Sequence, residues 1–537
     1  MNLITGGEVL VDCLRAQGVR HVFSIIGGQM GTIYDTIGRR DDIDLFIPRC
    51  ETVTPLMAAG YMAATGVPAA SLTTVGAGVV YEAAGLMHAW LNYLPVISLA
   101  PQVQSWKTKP HQESLQACNQ DEIYAPLTKW NTIVYHWKRI PAMINRGFRE
   151  AYTGVPGPVH IDIPVDILFK RGLWGQSDLE KVPLVKREPT ITGVAAKIED
   201  AAAALKKAGR PLVIVGQGIG REGRYRGVRQ LLNKLGLPVI TTRFSSGIMR
   251  GSDQVFAGAS SLFAETDKGM TLLKHADAIV VIGIDPETIS LIEKCGWTSK
   301  PIVQIETDPS AFLTYAHHLV HADPVSALSA MAVHGIKGVA ESKRWMDSLQ
   351  NIIPELVNEL SPANAGINKT IAALGKTTGP DDIIIADGAG ISPAAAYILK
   401  DAEYRDLFCM DERDMAGVGV PFAIGAAIGN PKARITLICD KESLFAHVRE
   451  LSPAAQAGVT LRIIVADHED AHVNCADTAS VLEGLGCCVS RHDLSDSQGD
   501  ISEFRAKAIS ALVVRAVPEK AVVRLNQPAA VLVSSMR

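Results

Sequence analysis

Short apolar stretches alternate along this chain with longer segments in which apolar residues recur at helical spacing. The stretches are rich in valine and isoleucine and are bounded by glycine, proline, aspartate or asparagine, which is typical of strands buried on both faces of a sheet. This alternation predicts an α/β fold in which parallel sheets are covered by helices on both sides. The stretches are Val22–Ile26, Ala69–Leu72, Pro95–Leu99, Val159–Ile163, Leu212–Val215, Ala278–Ile282, Ile302–Ile305, Ile383–Ala386, Ile435–Ile438 and Leu461–Val465.

The alternating elements fall into three series. The first covers residues 1–180, the second residues 190–340 and the third residues 350–537. A charged stretch, Asp178–Glu188, is expected to link the first two series, and the charged segment Ala340–Asn364 is expected to be helical. A chain of this length favours several domains over one. The sequence therefore predicts three doubly wound α/β domains with mostly parallel sheets.

Composition and charge restrict the classes of function. The 537 residues are 47% hydrophobic and carry a formal net charge of −4, with both signs interspersed. Because no basic stripe is present, nucleic acid and anionic membranes are not expected as partners. No run reaches the roughly 18 apolar residues of a membrane span, and charged residues interrupt the first segment, so no secretory signal is expected. The nine scattered cysteines suit reduced thiols, and we therefore expect a cytoplasmic protein.

Glu51 is the first residue whose position suggests chemistry. It follows the strand-like segment Asp44–Pro48 and opens a strongly apolar helical segment, where the helix dipole favours a carboxylate. A helix-start acid without further function is one interpretation. Glycine turns precede and follow it in the sequence, at Gly27–Gly28 and Gly76–Gly78. Each turn brings backbone to the carboxyl edge of a sheet, where open α/β proteins bind ligands.

The order and the sequence motifs of these segments resemble those of one superfamily, the thiamine-diphosphate-dependent enzymes of the acetolactate synthase, benzoylformate decarboxylase and pyruvate oxidase group. The family patterns VFGxPGG…YD, RxE…MAxGYAxATG, GPG, QExDQ…TKW and GxPGPVxxDIP correspond here to VFSIIGG…YD, RCE…MAAGYMAATG, GAG, LQACNQ…TKW and GVPGPVHIDIP. KHADAIVVIGIDPE and PIVQIETDPSAF resemble the family's central domain, and GVGVPFAIGAAIGNP resembles its GYGLPAAIGAxxxxP. The ordered set covers nearly the whole chain.

The resemblance implies roles for individual residues. Glu51 falls on the family's catalytic glutamate, which hydrogen-bonds a ring nitrogen of the aminopyrimidine of thiamine diphosphate and promotes loss of the proton from the thiazolium carbon. A glutamine further along helps carboligating members to hold substrate. Counting back from Lys129 without gaps places it at Gln116, whereas Gln112 matches the motif locally but requires a gap. A solvated loop residue is the alternative for both. Implied cofactor contacts lie at the small residues Gly27, Gly28, Gly76, Gly388, Ala389 and Gly390.

The segment that corresponds to the family's diphosphate and metal motif departs from it. The family has GDG and, further on, NN. Here Cys439-Asp440-Lys441 stands for GDG, and Asp467, 27 positions after Asp440, falls on the second asparagine. Asp440 and Asp467 keep oxygen atoms suited to Mg²⁺, and the carbonyl of Glu469 is the third implied ligand. The two glycines, which let backbone N–H groups approach phosphate, are gone. Either Lys441 contacts the diphosphate or partly replaces the metal, or the site no longer binds the cofactor.

A second departure lies where the family's methionine wedges the cofactor into a bent shape. That position is Ala416, with Met415 one residue earlier, and the family's glycine two residues before the wedge is Asp414. Glu442, beside Lys441, completes the implied cofactor contacts.

The middle series contains a glycine-rich turn, Val215–Gly220. It is expected to be a structural turn and not a dinucleotide site, because Arg221 replaces the last glycine of the GxGxxG pattern. Some members of the family hold FAD in this domain, but FAD is not expected here.

The leading prediction of function is a thiamine-diphosphate-dependent decarboxylase or carboligase that acts on a 2-oxo acid and resembles acetolactate synthase. One alternative is a lyase that uses the same cofactor on another substrate. The other is a divergent member that does not use thiamine diphosphate, either a cofactor-free enzyme or a binding or regulatory subunit. The predicted partners are a small 2-oxo acid and further copies of the chain, because the resemblance implies a site shared between subunits of a homodimer or homotetramer.

Overall fold

Over the residues that it describes, the computed structural model contains three six-stranded parallel sheets and one two-stranded antiparallel sheet. We refer to the elements around the three large sheets as the N-terminal, central and C-terminal units. The α/β fold class predicted from the sequence is confirmed, whereas the domain limits remain predictions. The structure describes residues 2–108, 114–185, 191–219, 224–336, 340–360, 365–388, 390–399, 402–410, 415–468, 477–493 and 508–516.

The N-terminal unit places helices between successive strands. Its strands are β1 (Asn2–Thr5), β2 (His21–Ser24), β3 (Asp44–Phe46), β4 (Ala70–Leu72), β5 (Ile97–Gln102), β6 (Trp130–Ile133), β7 (Val159–Pro164) and β8 (Arg171–Trp174). Its helices are α1 (Gly6–Ala16), α2 (Gly31–Gly38), α3 (Val53–Thr65), α4 (Ala77–Leu91), α5 (Gln120–Tyr124), α6 (Ile140–Tyr152), α7 (Val165–Phe169) and α8 (Gln176–Leu179). In the strand order β3-β2-β4-β5-β7-β6, the direction of the connections reverses between β2 and β4. Open α/β sheets bind ligands in the crevice that forms at such a reversal point, at the carboxyl ends of the strands.

The central unit repeats this plan. Its strands are β9 (Pro211–Val215), β10 (Val239–Thr241), β11 (Phe256–Ala259), β12 (Ala278–Ile282), β13 (Ile302–Glu306) and β14 (His318–His321). Its helices are α9 (Ala195–Lys206), α10 (Arg224–Leu235), α11 (Ser260–Ala264), α12 (Asp267–Leu273), α13 (Pro286–Cys295), α14 (Pro324–Val333) and α15 (Ala340–Leu360). The strand order is β11-β10-β9-β12-β13-β14, so the reversal lies between β9 and β12.

The C-terminal unit completes the described chain. Its strands are β15 (Ile383–Asp387), β16 (Asp406–Met410), β17 (Ile435–Asp440), β18 (Leu461–His468), β19 (Cys488–Asp493) and β20 (Ile509–Ala516). Its helices are α16 (Ala365–Gly375), α17 (Ile391–Ile398), α18 (Gly419–Gly429), α19 (Lys441–His447), α20 (Leu451–Gln456) and α21 (Thr478–Gly484). The order β16-β15-β17-β18-β20-β19 places the reversal between β15 and β17.

Helices α3 and α18 join the N-terminal and C-terminal units. Both are buried along nearly their whole length, and their apolar side chains belong to one core. The backbones approach closely at two glycines. A methyl group on Gly60 would overlap the carbonyl of Phe422, and one on Gly425 would overlap the carbonyl of Met57. The helix that follows Glu51 is therefore packed directly against the C-terminal unit.

Each apolar stretch identified in the sequence overlaps a strand. The expected charged helix is confirmed by α15. The described part of the expected linker Asp178–Glu188 is attached to the N-terminal unit. Gln17 donates to the carbonyl of Pro183 and accepts from the N–H of Val185. Among the helices of the described residues, none combines the length and the hydropathy needed to cross a bilayer.

Candidate active site

Glu51 lies in the turn that leads from β3 into α3, and its side chain is half-buried. Its carbonyl oxygen accepts two hydrogen bonds from Thr54, one from the N–H at 3.1 Å and one from Oγ1 at 2.8 Å. These bonds satisfy a backbone group at the start of the helix. They fix the backbone of Glu51 and leave its carboxylate at the carboxyl edge of the sheet.

The start of α3 is also held by α4. Thr52 Oγ1 donates to the carbonyl of Tyr81 at 2.8 Å, and a side chain on Gly85 would overlap the carbonyl of Thr52. Because α4 begins directly after Gly76, the Glu51 segment and the Gly76 turn are positioned by the same helix.

The two glycine turns meet at the reversal point of the N-terminal sheet. Gly27 follows β2 and lies against Thr74, which follows β4. Gly76 has a φ of +75°, which favours glycine, and a side chain there would overlap the carbonyl of Gln116. Gly28 has open space around it. The predicted residues Gly27, Gly28 and Gly76 therefore lie together at one edge of the sheet, at its reversal point.

Gln116, the preferred candidate for holding substrate, has an exposed side chain and a φ of +67°. Its backbone packs on the Gly76 turn, which places it at the same edge of the sheet. Gln112 lies outside the described residues.

A buried carboxyl group that sequence reasoning missed lies under this edge of the sheet. Glu82, on α4, is fully buried. Its Oε2 accepts hydrogen bonds from Ser98 Oγ at 2.8 Å and from the Tyr124 hydroxyl at 2.5 Å. Its Oε1 contacts Ser71 Oγ. Burial raises the pKa of the Glu82 carboxyl, against the opposing effects of His160 and the three hydroxyls. The available signal was a single acid in the otherwise apolar stretch VVYEAAGLM.

A chain of hydroxyl groups connects Glu82 to the backbone of Glu51. Ser71 Oγ contacts Glu82 Oε1 and lies 2.8 Å from Thr54 Oγ1, which in turn donates to the Glu51 carbonyl at 2.8 Å. Because burial raises the pKa of the Glu82 carboxyl, the protonated form is favoured more strongly here than in solvent.

A second branch of the same network reaches the Gly76 turn. His160 Nδ1 lies 2.8 Å from Ser98 Oγ, and its Nε2 lies 3.0 Å from Asp162 Oδ1. Gln120 donates to Asp162 at 2.5 Å and accepts from the N–H of Gly76 at 3.2 Å. Burial raises the pKa of Asp162, although His160 opposes the shift. The network therefore holds both the Glu51 segment and the Gly76 turn from below.

The reversal point of the C-terminal sheet carries the second group of predicted site residues. Asp387 and Cys439 are paired in register, so Gly388 and Asp440 follow on neighbouring strands. Gly388 has a φ of +130°, and a side chain there would overlap the Asp440 carboxylate. Asp387 Oδ2 accepts from the N–H of Gly419 at 2.8 Å and so fixes the start of α18.

Lys441 forms an ion pair at this edge. Its Nζ lies 3.0 Å from Asp467 Oδ1, and the two side chains are only 13% and 10% exposed. Asp440 is opposite Ala466 in the register of β17 and β18, so Asp467 lies one residue beyond it. Asp440 Oδ1 accepts from the N–H of Ser443 at 2.8 Å and caps α19. The two predicted metal ligands are therefore adjacent, and both already have partners.

The remaining predicted cofactor contacts lie at the same edge or outside the described residues. Gly390 precedes α17, and Glu442 is exposed in the first turn of α19. Ala416 is exposed, whereas Met415 packs against the core shared by α3 and α18. The predicted residues Ala389, Asp414 and Glu469 lie outside the described part of the chain.

The described side chains do not fit Mg²⁺ as they stand. Mg²⁺ requires a nearly octahedral shell of oxygen atoms, but Asp467 is paired with Lys441 and Asp440 caps a helix. Over the part of the chain that the structure describes, no three His, Cys, Asp or Glu side chains are arranged to hold a metal ion.

Glu450, which sequence reasoning did not single out, bonds the C-terminal unit to the segment that leads to Glu51. Its side chain is buried, and its Oε2 accepts from the N–H of Arg49 at 2.8 Å. Burial raises the pKa of Glu450, and the Arg49 bond and the charge of Arg449 oppose the shift. Because Arg49 lies two residues before Glu51, the C-terminal unit helps to position Glu51.

The glycines at the reversal point of the central sheet serve backbone packing. Side chains on Gly216 and Gly218 would overlap the backbone of Gly283 and Ile284. The N–H groups of Gln217 and Gly218 are bonded within the protein, to Asp285 and to Gly283. This geometry agrees with a structural turn, and the expected absence of FAD remains a prediction.

Comparisons with known proteins point to one family. The family model for "Thiamine pyrophosphate enzyme, N-terminal TPP binding domain" matches residues 4–123, and that for "Thiamine pyrophosphate enzyme, central domain" matches residues 198–331. The chain is 26% identical to the acetolactate synthase large subunit of Haemophilus influenzae over 477 residues, which cover 86% of this chain and 82% of that protein. It is 25% identical to the acetolactate synthase isozyme 3 large subunit of Escherichia coli over 479 residues, with coverage of 86% and 82%. The first matched segment contains Glu51 and both glycine turns.

Proposed function

Because the chain is a member of the thiamine-diphosphate-dependent enzyme superfamily and is similar to acetolactate synthase, we propose that it decarboxylates a 2-oxo acid or transfers the acyl unit so formed to a second carbonyl compound. The observation that carries the proposal is the placement of Glu51. A half-buried carboxylate at the start of α3 lies beside two glycine turns at the reversal point of a parallel sheet, which is where such folds bind ligands.

The residues of this chain would act on the bound cofactor by position and proton transfer. The Glu51 carboxyl would hydrogen-bond the pyrimidine ring and hold or accept a proton there. When bound, thiamine diphosphate supplies the electron sink that stabilises the charge left when carbon dioxide departs. Gln116, beside Gly76, is the proposed contact for the substrate. The hydroxyl chain from Glu82 and the bond from Glu450 keep the Glu51 backbone in one place, which such a contact requires.

The proposed partners follow from the same family membership. The substrate is a small 2-oxo acid, and the functional form is a homodimer or homotetramer in which the N-terminal edge of one subunit meets the C-terminal edge of another. Sedimentation at several protein concentrations would measure the assembly.

The first experiment is a titration of the purified protein with thiamine diphosphate, followed by thermal unfolding. A ligand that binds the native state must raise its stability, so we expect the unfolding midpoint to rise. Release of carbon dioxide from a panel of 2-oxo acids would then identify the substrate. No shift in the midpoint at saturating cofactor would contradict cofactor use and favour the divergent member without thiamine diphosphate.

The second experiment tests Glu51 itself. Glu51→Gln preserves shape and the backbone bonds to Thr54, so we expect an unchanged fold and a loss of roughly 10²–10⁴-fold in kcat. Glu199→Gln, an exposed glutamate on α9 in the central unit, is the matched control and is expected to retain activity. Equal activity of the two variants would remove the catalytic assignment.

A further inference from the structure

The pair of Lys441 and Asp467 joins opposite charges at a position where family members place a metal ion. The atoms Nζ and Oδ1 lie 3.0 Å apart, and both side chains are largely shielded from solvent. Surface ion pairs are usually worth little, but removing one partner of a shielded pair leaves an uncompensated charge. The pair is therefore a defined part of the site and not a fluctuating surface contact.

The charges show what this pair does to the cation site. Lys441 and Asp467 together are neutral, as are the glycine and asparagine of the family pattern, so the ammonium group cancels the extra carboxylate and adds no positive charge. A divalent cation that used Asp467 as a ligand would lie next to this ammonium group and would be repelled by it. Binding therefore requires that the ion pair first opens.

Asp440 alone does not compensate for this. Its Oδ1 is bonded to the N–H of Ser443, and its carboxylate lies against Gly388. A single carboxylate with one atom committed to a helix cap offers few of the oxygen ligands that Mg²⁺ or Mn²⁺ requires.

We propose that Lys441 is an internal competitor of the divalent cation: its ammonium group holds Asp467 and closes the metal site at the carboxyl edge of the C-terminal sheet. The proposal concerns the cation site and stands whether or not the protein turns over a 2-oxo acid. Under the proposed function, it means that any cofactor bound by the native chain is held without a stably bound Mg²⁺.

Mn²⁺ is the appropriate probe, because it prefers the same oxygen ligands and its free form is measured directly by electron paramagnetic resonance. The native protein is compared with Lys441→Met, which keeps an unbranched apolar stem and removes the charge, and with Lys441→Arg, which keeps the charge. Circular dichroism and thermal unfolding confirm that each variant is folded. No cofactor and no substrate are present, so the outcome is independent of catalysis.

We expect Lys441→Met to bind Mn²⁺ at least about tenfold more tightly than the native protein, which corresponds to about 1.4 kcal/mol, while Lys441→Arg remains as weak as the native protein. Equal and tight binding by all three proteins would overturn the proposal, because the ammonium group would then not compete. Equally weak binding by the native protein and Lys441→Met would also overturn it, since Lys441 would not be what closes the site.

Discussion

Replacing Glu82 by glutamine tests the raised pKa that burial gives this carboxyl group. The amide of glutamine can donate to Ser71, and its oxygen can accept from Ser98 and Tyr124, so the chain of hydroxyls toward Glu51 stays complete. The second N–H of the amide has no counterpart in a protonated carboxyl group. Burying this one unpaired donor costs roughly 1–3 kcal/mol, and we expect Glu82→Gln to be less stable by about that amount in acid.

The difference between the two proteins should shrink as the pH rises. Burial raises the pKa of Glu82 in the folded protein above its ordinary value of 4.5. A carboxyl group with a raised folded pKa contributes its full stability below the unfolded pKa and loses that contribution as the pH rises through the folded pKa. Within this window, which begins near pH 4.5, the loss of this contribution lowers the free energy of unfolding of the native protein by up to roughly 1.4 kcal/mol per pH unit. Glutamine does not titrate, so Glu82→Gln escapes this loss.

The assay is urea denaturation of both proteins at a series of pH values between about 5 and about 8. Asp162 and Glu450 also have raised pKa values but are present in both proteins, so their effects cancel in the difference. Glu82→Leu is the matched control. It also removes the titration, but it removes the oxygen that accepts from both Ser98 and Tyr124 and should be less stable throughout. A difference between native protein and Glu82→Gln that stays constant over the range would refute the raised pKa of Glu82.

Two further predictions concern the packing around Glu51. Gly60→Ala places a methyl group against the carbonyl of Phe422 and is expected to lower the free energy of unfolding by about 1–3 kcal/mol. Gly38→Ala is the control, at a helix position with open space, and should be neutral or slightly stabilising in the same urea titration. Equal stability of the Gly60→Ala and Gly38→Ala variants would contradict a close contact of α3 with α18. Glu450→Gln keeps an acceptor for the N–H of Arg49 and should retain activity. Glu450→Ala should lower the free energy of unfolding by about 1–3 kcal/mol and should also lower activity. Loss of activity in both variants would show that the charge of Glu450 is needed.

The fold was accessible from the sequence because buried parallel strands leave a strong signal. Strands such as β9, β12 and β15 are buried at every position, so they consist of consecutive apolar residues. The edge strands β6 and β14 are different. In β6 every residue is half-buried, and β14 is mostly exposed or half-buried. Their polar residues break the apolar run, and for that reason they were not identified.

The candidate site was predictable where backbone geometry dictates the residue type. Gly76 and Gly388 are required by positive φ values and close contacts, so both appear in the sequence as glycines at the ends of strands. The role of Glu82 was not predictable, because its partners on β4, β5 and α5 come together only in the folded protein. The family resemblance implied a metal site at Asp440 and Asp467. The ion pair with Lys441 depends on a side-chain direction that spacing does not contain.

The Lys441–Asp467 pair is better explained by an effect on ligand binding than by a contribution to stability. The two charged side chains lie largely out of solvent, and replacing such a pair by apolar side chains of similar volume is often neutral or stabilising. The needs of the fold alone therefore do not explain the pair. The charges lie at the reversal point of a parallel sheet, where α/β proteins bind ligands, and Gly388 closely approaches Asp440 beside them. The Mn²⁺ titration of Lys441→Met measures this effect directly, because it removes the ammonium group and leaves Asp440 and Asp467 in place.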